Sequence, residues 1–387
     1  MIFSSITFIY FFLPLLILTY FIVPKKCKNI TLLIFSLIFY FLGEPKYIII
    51  LLLSCIINYI LGNLIYKKNN PKIYLIIATI YNVGQLLIFK YTDFFITNIN
   101  SLLNTNFKLL YIIMPIGISF YTFQALSYTI DVYRRDTNAT KDFIAFTSFI
   151  SFFPQLVAGP IELSTNLLPQ FLKPRRFDYT NAVIGMRQIL WGFFKKLIIA
   201  DNCAQLANSI FDNYQDCNAS LLLLGALFFT FQIYGDFSGY SDIAIGTARL
   251  FGVNLMKNFN LPYFSRDIAE FWRRWHISLN KWFIDYVYIP LGGSRGTKAM
   301  VIRNILIVFF LSGLWHGANW TFVVWGLYNG IIIALLTLLN LNHKRSAIIS
   351  EKRFFPPLKE FGQIFITFVL VVIGWIFFRA EDLTQAV

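Results

Sequence analysis

Residues 47–65 read YIIILLLSCIINYILGNLI, without a single charge. A bilayer core about 30 Å thick is crossed by roughly 20 apolar residues of helix, so this stretch predicts a membrane span and sets the class of the chain. Similar runs lie near 6–23, 30–42, 73–89 and 109–130, then near 182–199, 219–234, 301–315, 320–340 and 361–378. The second is short enough to tilt little or to pair tightly with its neighbour. Gly235–Gly252 and Ala269–Pro290 are further embedded or amphipathic candidates. The fold class that follows is an all-α integral membrane protein, multi-pass in a cell membrane.

Composition agrees with the runs. The 387 residues are 57% apolar and 13% charged with a mean hydropathy of +0.63, outside the balance of a water-soluble domain. A formal charge of +14 would suggest nucleic acid in a soluble protein. Here the cations sit between apolar runs, where the positive-inside rule and anionic headgroups place them, and no soluble basic domain is left to bind nucleic acid. Membrane lipid is the expected partner of that charge. Cys27, Cys55, Cys203 and Cys217 show no CxxC spacing and read as small core residues, not a metal or disulfide set. The run at 1–23 lacks the basic start and small-residue cleavage site of a signal peptide, so the first helix is expected to stay. No repeat or low-complexity linker is visible, and residues 1–387 read as a single domain.

Loop charges orient the spans. Lys25, Lys26 and Lys28, then Lys67, Lys68 and Lys72, then Arg134, Arg135 and Lys141 follow alternate runs, which predicts those loops in the cytoplasm and the N-terminus outside. The apolar stretch 143–160 breaks the alternation, because Lys173, Arg175 and Arg176 follow it. A re-entrant segment resolves the conflict, with breaks at Phe152-Phe153-Pro154 and Ala158-Gly159-Pro160. Arg295, Lys298 and Arg303 before one late run, and Lys344, Arg345, Lys352 and Arg353 after the next, predict two spans joined on the outer side.

Chemistry is scarce in so apolar a chain. His316 stands in Leu314-Trp315-His316-Gly317-Ala318-Asn319-Trp320. A lone histidine is ordinarily structural, but an ionisable group at the end of an apolar run is costly and marks a functional path. At about 1.5 Å per residue along 301–315, His316 falls past mid-membrane from the basic end. His276 lies in Phe271-Trp272-Arg273-Arg274-Trp275-His276-Ile277-Ser278-Leu279-Asn280. That stretch fits an interfacial helix with an aromatic belt, and equally a site where Arg273 and Arg274 attract a phosphate-bearing donor. Tyr234 to Asp242 carries Asp236, Ser238, Ser241 and Asp242. The two carboxylates fall on different faces of a regular helix unless the glycines break it, and lining a polar cavity is the simpler reading than holding an ion. Leu291-Gly292-Gly293-Ser294-Arg295-Gly296 lacks the spacing and Lys-Ser/Thr end of a phosphate loop and reads as a turn.

These stretches resemble the signatures of the membrane-bound O-acyltransferase superfamily: residues 271–279, Asp285-Tyr286-Val287-Tyr288-Ile289-Pro290-Leu291-Gly292-Gly293, and residues 311–320. The start at Met1-Ile2-Phe3-Ser4-Ser5, the Pro115 to Phe123 stretch, and Phe153-Pro154-Gln155-Leu156-Val157-Ala158-Gly159-Pro160 agree. Within the superfamily they are most similar to the alginate O-acetyltransferase branch of bacterial polysaccharide acetyltransferases. The resemblance implies about ten or eleven tilted and re-entrant helices around a central funnel or tunnel. It also implies that members of the branch run on beyond Glu381, so that the last helices are expected to be missing here. Acetyl-coenzyme A is implied as the donor substrate, with no tightly bound cofactor and no metal. The implied acceptor is an extracytoplasmic glycan such as alginate, cellulose or peptidoglycan, reached directly or through an acetyl-accepting partner protein.

His316 matches the family's invariant histidine and is expected to act as general base on an acceptor hydroxyl. His276 matches the second signature position and is expected to orient the donor or polarise its carbonyl, helped by Arg273 and Arg274. Trp315, Asn319, Asp236 and Ser238 complete the implied substrate-binding set. Two rivals stay open on sequence: a D-alanyl transfer protein of teichoic-acid modification, a sister branch with a similar Trp-Arg-Arg-Trp-His pattern, and a secondary transporter coupled through Asp236 and Asp242.

Overall fold

A computed structural model describes residues 3–341 and 356–387; Lys344, Arg345, Lys352 and Arg353, called on above to orient the late spans, lie outside them. The described residues are helical, with no strand among them. Among the described residues, six helices are long and apolar enough to cross a bilayer: Pro45–Lys67, Pro71–Leu103, Ala219–Leu250, Lys298–His316, Trp320–Leu338 and Leu358–Arg379. Their outward faces carry exposed Ile, Leu and Phe, among them Ile49, Leu53, Ile56, Ile60, Phe365, Ile366 and Ile373, the surface a lipid solvent accepts and water does not. The chain is a multi-span membrane protein. It divides into two compact units, one of residues Met1–Lys196 with Gly239–Met256, the other of Leu197–Ser238 with Lys257–Val387.

The first unit is built on an aromatic cluster. Phe3, Phe8, Phe12, Phe39 and Phe153 meet at ring-centroid distances between 4.8 and 6.3 Å. Helix Ile118–Arg134 is buried along nearly its whole length. Where it crosses Pro45–Lys67, a Cβ on Gly62 would stand 2.4 Å from the Tyr128 ring, so only glycine admits the crossing. A second close crossing pairs helix Tyr179–Phe193 with the end of Ala219–Leu250: Cβ atoms on Gly185 and Gly192 would lie 2.7 Å from the carbonyl oxygens of Gly246 and Gly239. Small residues of this kind let backbones approach in a membrane, where packing rather than hydrophobicity holds helices together. Beside that crossing, Lys195 donates to Asp242 at 2.5 Å and Gln188 donates to it at 2.8 Å.

The second unit centres on an antiparallel pair, Lys298–His316 and Trp320–Leu338. A Cβ on Gly313 would be 2.3 Å from the Phe322 carbonyl oxygen, and one on Gly326 2.3 Å from that of Phe309. Trp272, Trp275, Trp325, Trp375 and Phe271 fill the core beside this pair.

Several predicted boundaries move, each for a local reason. The span expected at 109–130 starts only at Ile118, because Pro115 lacks an N–H and Gly117 turns the chain at φ +74°. The run at 73–89 continues to Leu103 through a π-helical turn at Leu87–Tyr91 that carries Lys90. Gly235–Gly252 is not a separate segment. It continues 219–234 as one helix, Ala219–Leu250, so the glycines do not break it. The interrupted stretch is found at 143–160, where helix Phe143–Ser151 stops at Phe152 and restarts as a short turn, Phe153–Leu156.

Candidate active site

The stretch that carries His276 is two short helices joined by a corner. Asp267 caps the first, Ile268–Arg274, by accepting the Glu270 N–H at 2.7 Å. Glu270 is then clamped from two sides. Arg266 Nη2 and Arg274 Nη2 each donate to its Oε1 at 2.8 Å, and Arg266 Nη1 donates onward to Glu360 at 2.9 Å. The two guanidiniums outweigh the burial that would raise this carboxyl and hold it at about 2. At the corner, backbone bonds from Asn260 N–H to Arg274 O and from Ile277 N–H to Asn258 O, both 2.9 Å, pin the loop 258–260 against it. Asn280 closes the corner, its Nδ2 donating to the carbonyl oxygens of Trp275, at 2.9 Å, and Trp272.

His276 sits in the corner itself at φ +44°, a left-handed backbone that non-glycine residues rarely hold. Its side chain is 1% exposed. Nδ1 lies 3.1 Å from Asn258 Oδ1, and that oxygen also accepts from Ser278 N–H at 3.3 Å and Ser278 Oγ at 2.9 Å. Nε2 is buried with no hydrogen-bond partner. The corner lies outside the six spanning helices, and burial pushes the imidazole down to about 3, so the ring is neutral at every physiological pH.

His316 ends helix Lys298–His316 and is half-buried. Its ring meets Trp315 and Trp325 edge-on at 4.9 Å and Phe378 at 5.2 Å. Trp315 also meets His276 at 6.0 Å, so one indole is shared by both imidazoles, and Phe237 closes on His276 at 4.7 Å.

The remaining sequence candidates scatter. Arg274 is buried in the Glu270 clamp, whereas Arg273 is exposed on a cavity of about 580 Å³ lined also by Trp272, Asn280, Lys281 and Phe309. Asn319 caps helix Trp320–Leu338 through Thr321 N–H at 3.1 Å and donates to the Glu381 carbonyl oxygen at 2.6 Å. Asp236 is exposed and Ser238 buried on either side of Phe237. In the 291–296 turn, Asn304 donates to the carbonyl oxygens of Leu291 and Gly293 at 3.2 and 3.1 Å, which fixes the turn from its inner side.

The profile of the membrane-bound O-acyltransferase family matches residues 73–374, a stretch that contains His276 and His316. The chain belongs to the membrane-bound O-acyltransferase family. It is similar over its full length to the probable alginate O-acetylase AlgI of Pseudomonas aeruginosa, 40% identical and covering 73% of that protein. It is likewise similar to the peptidoglycan O-acetyltransferase of Helicobacter pylori, 36% identical and covering 78% of it. The teichoic acid D-alanyltransferase of Bacillus subtilis is 27% identical over 69% of each chain. The protein is therefore an O-acyltransferase, and the candidate site sets two imidazole rings among aromatic side chains. Asn258, Ser278 and Phe237 stand around His276 in this candidate site, and sequence reading did not single them out. Asn258 is one asparagine in a polar loop, and only the folded corner reveals that it stands beside residue 276.

Proposed function

We propose that this protein transfers acetyl from cytosolic acetyl-coenzyme A to a hydroxyl of an extracytoplasmic polysaccharide, directly or through an acetyl-accepting partner protein, in a bacterial plasma membrane. The single observation that carries the reading is the shared indole of Trp315, with His316 on one side and His276 on the other. Full-length similarity to two proteins named as O-acetylases supports acetyl as the group and a glycan as acceptor; the D-alanyltransferase matches less of the chain at lower identity. The family resemblance supports ten or eleven tilted and re-entrant helices around a funnel through which donor and acceptor approach from opposite faces.

In the proposed step, the acceptor oxygen attacks the acetyl carbonyl, forming the ester C–O bond, and the thioester C–S bond breaks. His316 takes the hydroxyl proton as general base and the sulfur leaves as the coenzyme A thiolate, which regains a proton. No covalent acyl-enzyme is needed. Arg273, exposed on its cavity, is the cation offered to the donor phosphates; Arg274 supports the site from within through Glu270. The transporter reading draws no support from Asp242, which is committed to Lys195 and Gln188.

The test is transfer of radiolabelled acetyl from acetyl-coenzyme A to alginate or peptidoglycan fragments in proteoliposomes. His316→Ala is expected to lower turnover by about 10²- to 10⁴-fold, the usual worth of a positioned base. Near-normal turnover by the folded variant would remove His316 from the chemistry.

A further inference from the structure

We propose that Asn258 is a positioning residue for His276: its side-chain oxygen fixes the imidazole as the Nδ1–H tautomer and leaves Nε2 as a hydrogen-bond acceptor for a substrate hydroxyl. This rests on the acyl-transfer reading of the site, but its geometry is tested separately from it.

Ser278 N–H lies 3.3 Å from the Asn258 amide atom that also faces His276. A main-chain N–H can only donate, so that atom is the carbonyl oxygen and not the amide nitrogen. Ser278 Oγ donates to the same oxygen at 2.9 Å. An amide oxygen only accepts, so Nδ1 of His276, 3.1 Å away, carries the proton. A neutral imidazole has one N–H, and the lone pair is therefore on Nε2.

That lone pair is buried without a partner. A stranded acceptor and a left-handed backbone at the same residue are two costs at one position, and such costs collect where a site is built for something not yet bound. The tautomer also corrects the role expected of this ring. Polarising a thioester carbonyl needs a donor, and a neutral His276 has none to offer at Nε2. It accepts instead, and a hydroxyl is the substrate group that gives an O–H. Asn258 thus decides what His276 can do without touching substrate itself.

The chain has only three histidines, His276, His316 and His343, so ¹⁵N-histidine labelling in proteoliposomes resolves each ring, with His276→Gln assigning its signals. The wild-type spectrum is expected to show a protonated Nδ1 and a bare Nε2. Asn258→Ala should release the ring to a mixture of tautomers and lower kcat at least about tenfold while KM for acetyl-coenzyme A stays within about twofold. Asn258→Asp keeps the acceptor oxygen and adds a negative charge, which protects the test if the alanine variant does not fold. It should retain the tautomer and add a second ionisation, that of His276, to the acid limb that the base His316 already gives the kcat–pH profile.

A wild-type proton on Nε2 overturns the proposal, and so does an Asn258→Asp profile that superimposes on the wild type. Full turnover by His276→Gln also overturns it. If the wild-type spectrum still shows Nδ1–H in that case, the failure lies in the functional reading and not in the geometry.

Discussion

Replacing Gly313 by alanine should cost activity through distance alone. Gly313 stands one turn before His316, where helices Lys298–His316 and Trp320–Leu338 touch backbone to backbone. The new methyl carbon would lie 2.3 Å from the Phe322 carbonyl oxygen, and ordinary contact begins near 3.4 Å. The oxygen belongs to a helix backbone and cannot swing aside, so the helices must part by about 1 Å. Overpacking of this kind destabilises by about 1–3 kcal/mol. The larger effect falls on turnover: a misplacement of about 1 Å in a catalytic group is worth about 10²-fold. Acetyl transfer in proteoliposomes, read beside thermal unfolding of the same preparation, separates the two. Gly362→Ala is the control, since a Cβ there meets nothing within 4 Å. A Gly313→Ala protein with wild-type unfolding and kcat within about threefold of normal would refute both the tight crossing and the demand for an exactly held imidazole.

Three further outcomes follow from buried charges. Glu270→Gln should lower stability by about 3–5 kcal/mol, because it removes the buried carboxylate charge that Arg266 and Arg274 share and leaves Arg266 with Glu360 as its carboxylate partner; a thermal midpoint unchanged from wild type would contradict the clamp. The Glu270 carboxyl is held at about 2, below its unfolded value of about 4.3, so its contribution is present above pH 4.3 and is lost as pH falls toward 2. Glu162 behaves in the opposite sense. Burial pushes its carboxyl up to about 7 despite the donors Met256 N–H and Asn166, so the stability it contributes is full below about pH 4.3 and is lost as pH rises through 7. Denaturation at pH 5 and pH 8 should show a fall that Glu162→Gln abolishes, and an equal fall in the variant would rule Glu162 out. Asp242→Ala should destabilise by about 3 kcal/mol by taking the carboxylate away from the buried Lys195; double-mutant coupling with Lys195→Ala near zero would show that the pair contributes nothing.

Hydropathy made the uniform runs legible, and residues 47–65 lie within the helix Pro45–Lys67. It failed where one polar or turn-forming residue decides the outcome. Averaging over 109–130 hides Pro115 and Gly117, which delay the helix to Ile118. A lysine at 90 looks like a boundary, yet a π-helical turn carries the helix past it. Two neighbouring arginines, 273 and 274, are alike in sequence but differ by 100° around a helix, which sends one to a cavity and the other to Glu270. The spacing of Glu270 and Arg274 is the i,i+4 signal of a pair and was available for reading. Asn258 was not, because its partner is 18 residues away and only the corner at 276 brings them together.

The first two helices have a consequence for the lipid around them. Phe8–Ile22 and Lys28–Phe41 are 15 and 14 residues long, about 21–23 Å at 1.5 Å per residue, against a hydrocarbon layer of about 30 Å. Both present apolar side chains outward, Phe11, Leu15, Leu18 and Ile22 on one, Ile30, Ile34, Ile38 and Phe41 on the other. A bilayer that wets these faces must dimple by several ångströms along this flank. Acyl-chain length thereby becomes a variable of the protein's own energetics, with short-chain lipids relieving the mismatch and long-chain lipids loading it onto the amino-terminal helices.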